Sequence, residues 1–394
     1  MSTARWRADT PGLPGLVHLN NAGAGLMPAP VLSAIQSHLD LEATAGGYEA
    51  ADLAALAIAD AYRGIGDLIG APAANIAMVE NATVAVAQAL SAFDWQPGDV
   101  VITTEADYVS NQLMLLSLAA RRGIEIVRAP DLPEGGVDPA AVERLVRARR
   151  PALLLVSWIP TNSGLIQDAA AVGAIARRHE VPYLLDACQA VGQLPIDVTR
   201  IGCDFLAATG RKFLRGPRGI GFLYVSDRIL ETGRYPLFID LRGGTWTAAD
   251  RFEPAPGARR FENWEYAYAL VLGLGAAARY AIDAAAAGAL DATAAIARYA
   301  RRRMAAVEGL RLLDRGHAPC AIITASLPRI APAQLVAALR ETGVNTSWFP
   351  RSAAVIDMDR KGIDAGWRVS PHYFNTEGDI DRLIDALTPL LTTT

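Results

Sequence analysis

Val181-Pro-Tyr-Leu-Leu-Asp-Ala-Cys-Gln189 is an apolar run with a carboxylate at the carboxyl end of its hydrophobic part. Such a run, without polar alternation, reads as a strand buried on both faces, the kind found in parallel sheets. The same rhythm extends outward: from 100 to 225, runs of Val, Ile and Leu alternate with alanine-rich stretches long enough to form covering helices. Strands are expected at 100–104, 124–129, 152–159 and 183–186, and helices at 111–122, 139–149 and 169–179. The core is therefore expected to be a doubly wound α/β domain around a mainly parallel sheet. Residues 220–225 make one more strand. Residues 236–260 lose periodicity and collect Gly, Pro and Trp, as a surface loop does, and a domain junction follows. Beyond it, 267–287 and 290–309 read as long helices, 321–325 and 354–357 as short strands, and 332–342 and 377–391 as helices. This gives a smaller α+β C-terminal domain. The expected division is an N-terminal segment 1–17, a large domain 18–264 and a small domain 265–394.

Composition narrows the function classes. A chain of 394 residues with 52% hydrophobic and 20% charged residues can bury the core of more than one domain. Net charge is −4, and the arginines fall in short clusters such as Arg147-Ala-Arg-Arg150 and Arg301-Arg-Arg303, which argues against a nucleic-acid partner. Cys188, Cys203 and Cys320 form neither a CxxC pair nor a His-containing cluster, so no disulfide framework and no metal site are expected. The N-terminus lacks the apolar core of a signal peptide, and no run of 18 apolar residues occurs. The expectation is a cytoplasmic protein with no membrane span.

Chemistry concentrates in Thr209-Gly-Arg-Lys-Phe-Leu-Arg-Gly-Pro-Arg-Gly-Ile-Gly221, where one lysine sits in a glycine-rich loop before a strand. An amine that forms an imine with an aldehyde cofactor must lose its proton, so it needs burial or neighbouring cations. Arg211 and Arg215 are the candidates for those cations; the competing reading is a solvated basic loop. The strand that ends at Asp186 shifts the balance, because ligands in open α/β sheets bind at the carboxyl ends of strands. An aspartate there would pair with the protonated ring nitrogen of pyridoxal phosphate and keep the ring an electron acceptor. The alternative for Asp186 is a simple cap. Asn81-Ala-Thr83 opens a helical stretch at 84–92, and backbone N–H groups at a helix start attract phosphate. Ala82 and Thr83 are thus phosphate candidates, with an N-cap as the other reading of Thr83.

These segments resemble the class V aminotransferases, the fold-type I pyridoxal-phosphate family that includes cysteine desulfurases, isopenicillin N epimerase and hercynylcysteine sulfoxide lyase. The resemblance covers nearly the whole chain. Its motifs stand in family order: Leu19-Asn-Asn-Ala-Gly23, Asn81-Ala-Thr83, Glu105-Ala-Asp-Tyr-Val-Ser-Asn111, Asp186-Ala-Cys-Gln189, Thr209-Gly-Arg-Lys212 and Arg368-Val-Ser-Pro-His372. It implies that the large domain binds pyridoxal 5'-phosphate and that Lys212 is the Schiff-base lysine. Asp186 is then the ring-nitrogen partner and Gln189 a donor to the ring oxygen. Thr209 and Arg211 stand where the family has a serine and a histidine facing the phosphate. Tyr108 stands at the aromatic that stacks on the ring, or else is a core tyrosine. Either Thr161 or Asn162 matches a polar residue near the ring oxygen. Arg368 matches the arginine that grips the substrate's α-carboxylate, a task suited to a planar guanidinium. Asn21 or Ala22 lies in a glycine loop close to the substrate. The family also implies a homodimer with its active site at the interface, where Arg260-Phe-Glu-Asn-Trp-Glu265 would reach the neighbouring cofactor. Trp246, Trp264 and Tyr266 are candidates for burial there.

The departures are informative as well. A desulfurase of this family needs a nucleophilic cysteine shortly before the carboxylate-binding arginine, and residues 345–367 contain none. The Arg211-Lys212 pair, Tyr108 and the Arg368 segment resemble the lyase branch more. The expected activity is β-elimination of a cysteine-derived amino acid, a C–S lyase, with transamination or epimerisation as alternatives. An idle relative that only binds is an outsider, opposed by the intact Lys212, Asp186 and Arg368. A nucleotide-dependent oxidoreductase is another, opposed by the placement of Gly216-Pro-Arg-Gly-Ile-Gly221 before a strand instead of a helix.

Overall fold

The structure, a computed structural model, describes residues 2–317 and 319–392; Met1, Ala318, Thr393 and Thr394, at the outer limits of the expected segments or within them, lie outside the described residues. Its centre is a seven-stranded sheet in the order Ile76–Val79, Gly221–Val225, Phe205–Thr209, Tyr183–Asp186, Leu153–Ser157, Val100–Thr104, Glu125–Ala129. Gly221–Val225 runs antiparallel to both of its neighbours, and the remaining pairings are parallel. The lack of polar alternation has a direct cause. Leu153 and Leu155 pack into a core on one face of the sheet while Leu154 and Val156 pack into another core on the opposite face. Helices cover both faces, so the inner strands are removed from water while the edge strand Glu125–Ala129 stays partly exposed, and each large buried apolar side chain contributes about 2 kcal/mol.

Several helices start where the sequence supplies a cap. Asp138 accepts from the N–H of Ala140 ahead of Pro139–Arg149, and Asp168 from that of Ala171 ahead of Ala169–Arg178. Tyr268–Ala286 is long and apolar because it is a core helix: it packs on Ala29–Ala45 and Ala55–Ile69 and buries Val271, Leu274 and Ala278.

A second, fully antiparallel sheet has the order Arg311–Leu312, Ile323–Ser326, Ala365–Val369, Ser347–Pro350. The helices Ala289–Ala305, Pro332–Glu341 and Glu377–Thr392 supply its core, together with Val17 of the N-terminal strand Val17–His18, which pairs with Val344–Asn345, and Leu19 just after it. Two local expectations fail. Residues 354–357 are not a strand but enter the helix Val355–Lys361, closed by the Asp357–Lys361 ion pair one turn apart and by left-handed Gly362. A short apolar run fits either structure, and the strand lies earlier, at Ser347–Pro350. The stretch 236–260 contains an exposed hairpin, Gly244–Ala248 with Arg251–Pro254, where a featureless loop was expected.

Candidate active site

The carboxyl ends of the parallel strands and the loops after them converge on a cleft of about 480 Å³. Lys212 lies at its base, three residues beyond Phe205–Thr209, in a loop whose ends are pinned by the ladder to Gly221–Val225. Close backbone contacts fix the loop. A Cβ on Gly25 would stand 2.6 Å from the carbonyl oxygen of Lys212, and one on Gly192, whose φ is +94°, 2.3 Å from the carbonyl carbon of Phe213. Only glycine allows both approaches. The Lys212 amine is buried, which pushes its pKa below the ordinary lysine value; Arg211 and Arg368 push the same way, against Cys188 and Asp186. Arg215 does not take the part expected of it. It is fully buried elsewhere, donating to the carbonyl of Leu26, Tyr373 Oη and Thr10 Oγ1, and its guanidinium lies 4.6 Å from the Phe374 ring centre.

Asp186 ends its strand with one carboxylate oxygen 3.0 Å from Asn111 Nδ2 and the other 3.0 Å from the N–H of Cys188. It caps a turn and faces the cleft at once. Tyr108 stands at the entrance of the helix Val109–Arg122, with Lys212 Nζ 5.5 Å from its ring centre. Across the cleft the helix Ala82–Ser91 begins. Asn81, not Thr83, is its N-cap, accepting from the N–H of Val84 at 3.0 Å. The N–H groups of Ala82 and Thr83 and the Thr83 hydroxyl are thus left at the open end of the helix. Thr209 and Arg211 line the same cleft. Arg211 also anchors the N-terminal loop, donating to the carbonyl of Gly23 and accepting at its own carbonyl from Gly25 N–H at 2.7 Å.

A second group adjoins the first. Gln189 Nε2 donates to Ala22 O at 3.0 Å and Thr161 Oγ1 at 3.1 Å, and its Oε1 has no partner. The amide end expected to donate to a cofactor is therefore engaged with the protein. Arg368, on Ala365–Val369, donates to Thr161 O at 3.1 Å, Thr161 Oγ1 at 2.5 Å and Asn20 Oδ1 at 3.4 Å, leaving Nε unpartnered. Burial lowers its pKa to about 10, far enough above neutrality to keep its charge. Asn21 donates to Ser370 O and leaves its buried Oδ1 free, while Ala22 N–H meets Ser370 Oγ. Geometry separates the pair left open: Thr161 joins Gln189 and Arg368, whereas Asn162 turns away to Asp357 Oδ2 at 2.5 Å.

Sequence reasoning missed Asn111, which links Asp186 to Asp107, and Arg218, which lines the cleft beside Arg211. It also missed a plain signal. Of the 37 Lys and Arg residues only Lys212 and Lys361 are lysines, and Lys361 is paired with Asp357.

Comparisons with known proteins bear on the family and the fold. The family profile described as aminotransferase class-V matches residues 17–383. Probable hercynylcysteine sulfoxide lyase of Mycobacterium tuberculosis is 27% identical over 97% of this chain and 92% of its own. Isopenicillin N epimerase of Streptomyces clavuligerus is 29% identical over 96% and 95% respectively. The apo structure of cysteine desulfurase from Thermococcus onnurineus NA1 superposes with a TM-score of 0.90 at 21% identity, covering 100% of this chain and 99% of that one.

Proposed function

Because the chain belongs to the class-V aminotransferase family, we propose that it is a pyridoxal-phosphate enzyme that cleaves the C–S bond of a cysteine-derived amino acid by β-elimination. The residues fit that cofactor: a buried amine with a lowered pKa, a carboxylate at a strand end, and free N–H groups at a helix start lie around one cleft. Lys212 would hold it through the amine, Asp186 at the ring nitrogen, Tyr108 against the ring, and Ala82, Thr83, Thr209 and Arg211 at the phosphate. When bound, it supplies an aldehyde that condenses with amines and a cationic ring that accepts electron density from the substrate's α-carbon. Arg368 receives the substrate's α-carboxylate. Lys212 Nζ, its proton affinity lowered by burial, takes the α-proton, and a sulfur substituent on the β-carbon departs.

The observation that carries elimination over sulfur transfer is the state of the thiols. Cys188, Cys203 and Cys320 are all buried, and burial raises the pKa of Cys188 and of Cys320 to about 12 and that of Cys203 as well. None is a thiolate placed to accept sulfur. The test is to add a cysteine S-conjugate or S-oxide to the cofactor-loaded protein. Release of pyruvate and ammonia supports elimination. A keto acid without ammonia makes the protein a transaminase, and inversion of the α-carbon makes it an epimerase.

The exposed apolar side chains of the 237–264 stretch, Phe238 at 80% and Trp246 at 78% with Leu241 and Trp264, support a homodimer in which the 260–265 segment reaches the neighbouring cleft. A monomer by light scattering would oppose this. Three unpaired cysteines support a reducing, cytoplasmic location, which cell fractionation tests.

A further inference from the structure

Behind the cleft lies a second buried carboxylate that the reaction itself does not use. Asp107 is 4% exposed and has no cation within ion-pair distance among the described residues, yet its oxygens collect donors from several elements. On Oδ2 it accepts from Thr103 Oγ1 and Gln112 Nε2, each at 2.8 Å. On Oδ1 it accepts from Ser157 Oγ, from the N–H of Tyr108 at 2.7 Å and from Asn111 Nδ2 at 3.2 Å. Gln112 is itself oriented by Arg128, which donates to its Oε1 at 2.7 Å.

Two of these donors lead straight to the cleft. The Asn111 amide that meets Asp107 also donates to Asp186 at 3.0 Å, and the N–H of Tyr108 fixes the start of the helix that carries the ring facing Lys212. A neutral group at 107 would leave Asn111 a weaker acceptor and would take one negative charge from behind Asp186. An anion held by several hydrogen bonds in a low-dielectric interior acts over a longer range than one in water. Burial raises the Asp107 carboxyl above its ordinary value, and the hydrogen bonds from Ser157, Thr103, Gln112 and Tyr108 oppose that rise. The N–H donors of Tyr108, Asn111 and Gln112 can only meet an acceptor, which favours the charged form.

We propose that Asp107 is a positioning residue that fixes Asp186 and Tyr108 together and supplies a second negative charge behind the cofactor's ring. This rests on the pyridoxal-phosphate reading above. On the cleft side Lys212 feels Cys188, Asp186, Arg211 and Arg368, and on the other side Arg128 reaches Asp107 through Gln112.

The test is a pH titration of the visible absorption of the cofactor-loaded protein, in wild type and in Asp107→Asn. Loss of an anion beside a cationic ring lowers the titration midpoint, by about one pH unit for a charge a few ångströms behind the first carboxylate. A soluble, loaded Asp107→Asn protein with the wild-type midpoint overturns the inference. Thr103→Val and Gln112→Leu remove donors only from Oδ2, on the side away from Asp186, and should move the midpoint in the same direction. If Asp107→Asn is insoluble and neither of these moves it, the inference is likewise overturned. Wild-type protein that takes up no cofactor at Lys212 overturns the underlying reading instead, and is seen before any variant is made.

Discussion

Arg368 Nη1 lies 2.5 Å from Thr161 Oγ1, a neutral oxygen where a buried guanidinium ordinarily meets a carboxylate. Among the described residues no acidic side chain is within ion-pair distance of Arg368, and its Nε is free. On the proposed reading, an incoming carboxylate would supply the missing charge. Arg368→Lys should raise KM for the amino-acid substrate by about 100-fold, roughly 3 kcal/mol, because one point charge replaces a planar fork. Cofactor affinity should not change, and equal losses of both would assign Arg368 to the fold instead.

Arg218 is exposed, lines the cleft beside Thr83 and Arg211, and makes no hydrogen bond or ion pair among the described residues. Its charge is felt by Arg211, whose pKa is lowered by burial first and by Arg218 after it. Two cations left close together await a shared anion. Arg218→Gln should weaken pyridoxal-phosphate binding about 10-fold, or ~1.4 kcal/mol, in a fluorescence titration. Binding of pyridoxal, which lacks the phosphate, should be unaffected; a parallel loss for both ligands would rule out phosphate recognition.

The thiols make a separate prediction. In the folded protein at pH 8 a disulfide reagent should find none of Cys188, Cys203 and Cys320 reactive, and all three should appear on denaturation. Rapid labelling of any one in the native state would reopen sulfur transfer through a protein persulfide.

Glu262 is buried within the segment expected at the subunit interface. Its Oε1 accepts from Tyr62 Oη and the N–H of Met78, both at 2.8 Å, while Oε2 has only Arg242 at 3.7 Å. Burial raises its pKa from 4.5 to about 7. The folded state therefore holds the proton more tightly than the unfolded chain, and this stabilisation is complete below pH 4.5. It declines as the pH rises to 7, by about 3 kcal/mol across the window. Urea midpoints measured from pH 5 to 8 should fall with pH in wild type and lose that part of their slope in Glu262→Gln.

The fold was legible where strands are buried on both faces. Val100–Thr104 and Tyr183–Asp186 have the expected bounds, and every residue of both is buried. The run at 354–357 was not legible, since what makes it helical is the Asp357–Lys361 pair and the docking of Asp357 on Asn162, 195 residues away. The same holds within the site. Lys212 and Asp186 stand in motifs whose residue types declare their chemistry. Asn111 matters because the sheet brings it to Asp186, 75 residues distant, and no local pattern contains that fact. Arg215 misled for the converse reason: it neighbours Lys212 in sequence, but a positive φ of 60° turns it into a pocket of aromatic rings.

Lys212 is held by the large sheet and Arg368 by the small one, and these meet through Thr161 and the loop at 20–25. On the proposed reading, the substrate's two ends would be met by separately built halves of the molecule. Selection for a new substrate can reshape the packing under Arg368, where Gly366 lies against Phe349 and Trp367 is wholly enclosed, without disturbing the machinery around the lysine. Such an arrangement would let the grip on the carboxylate be retuned while the reactive lysine stays as it is.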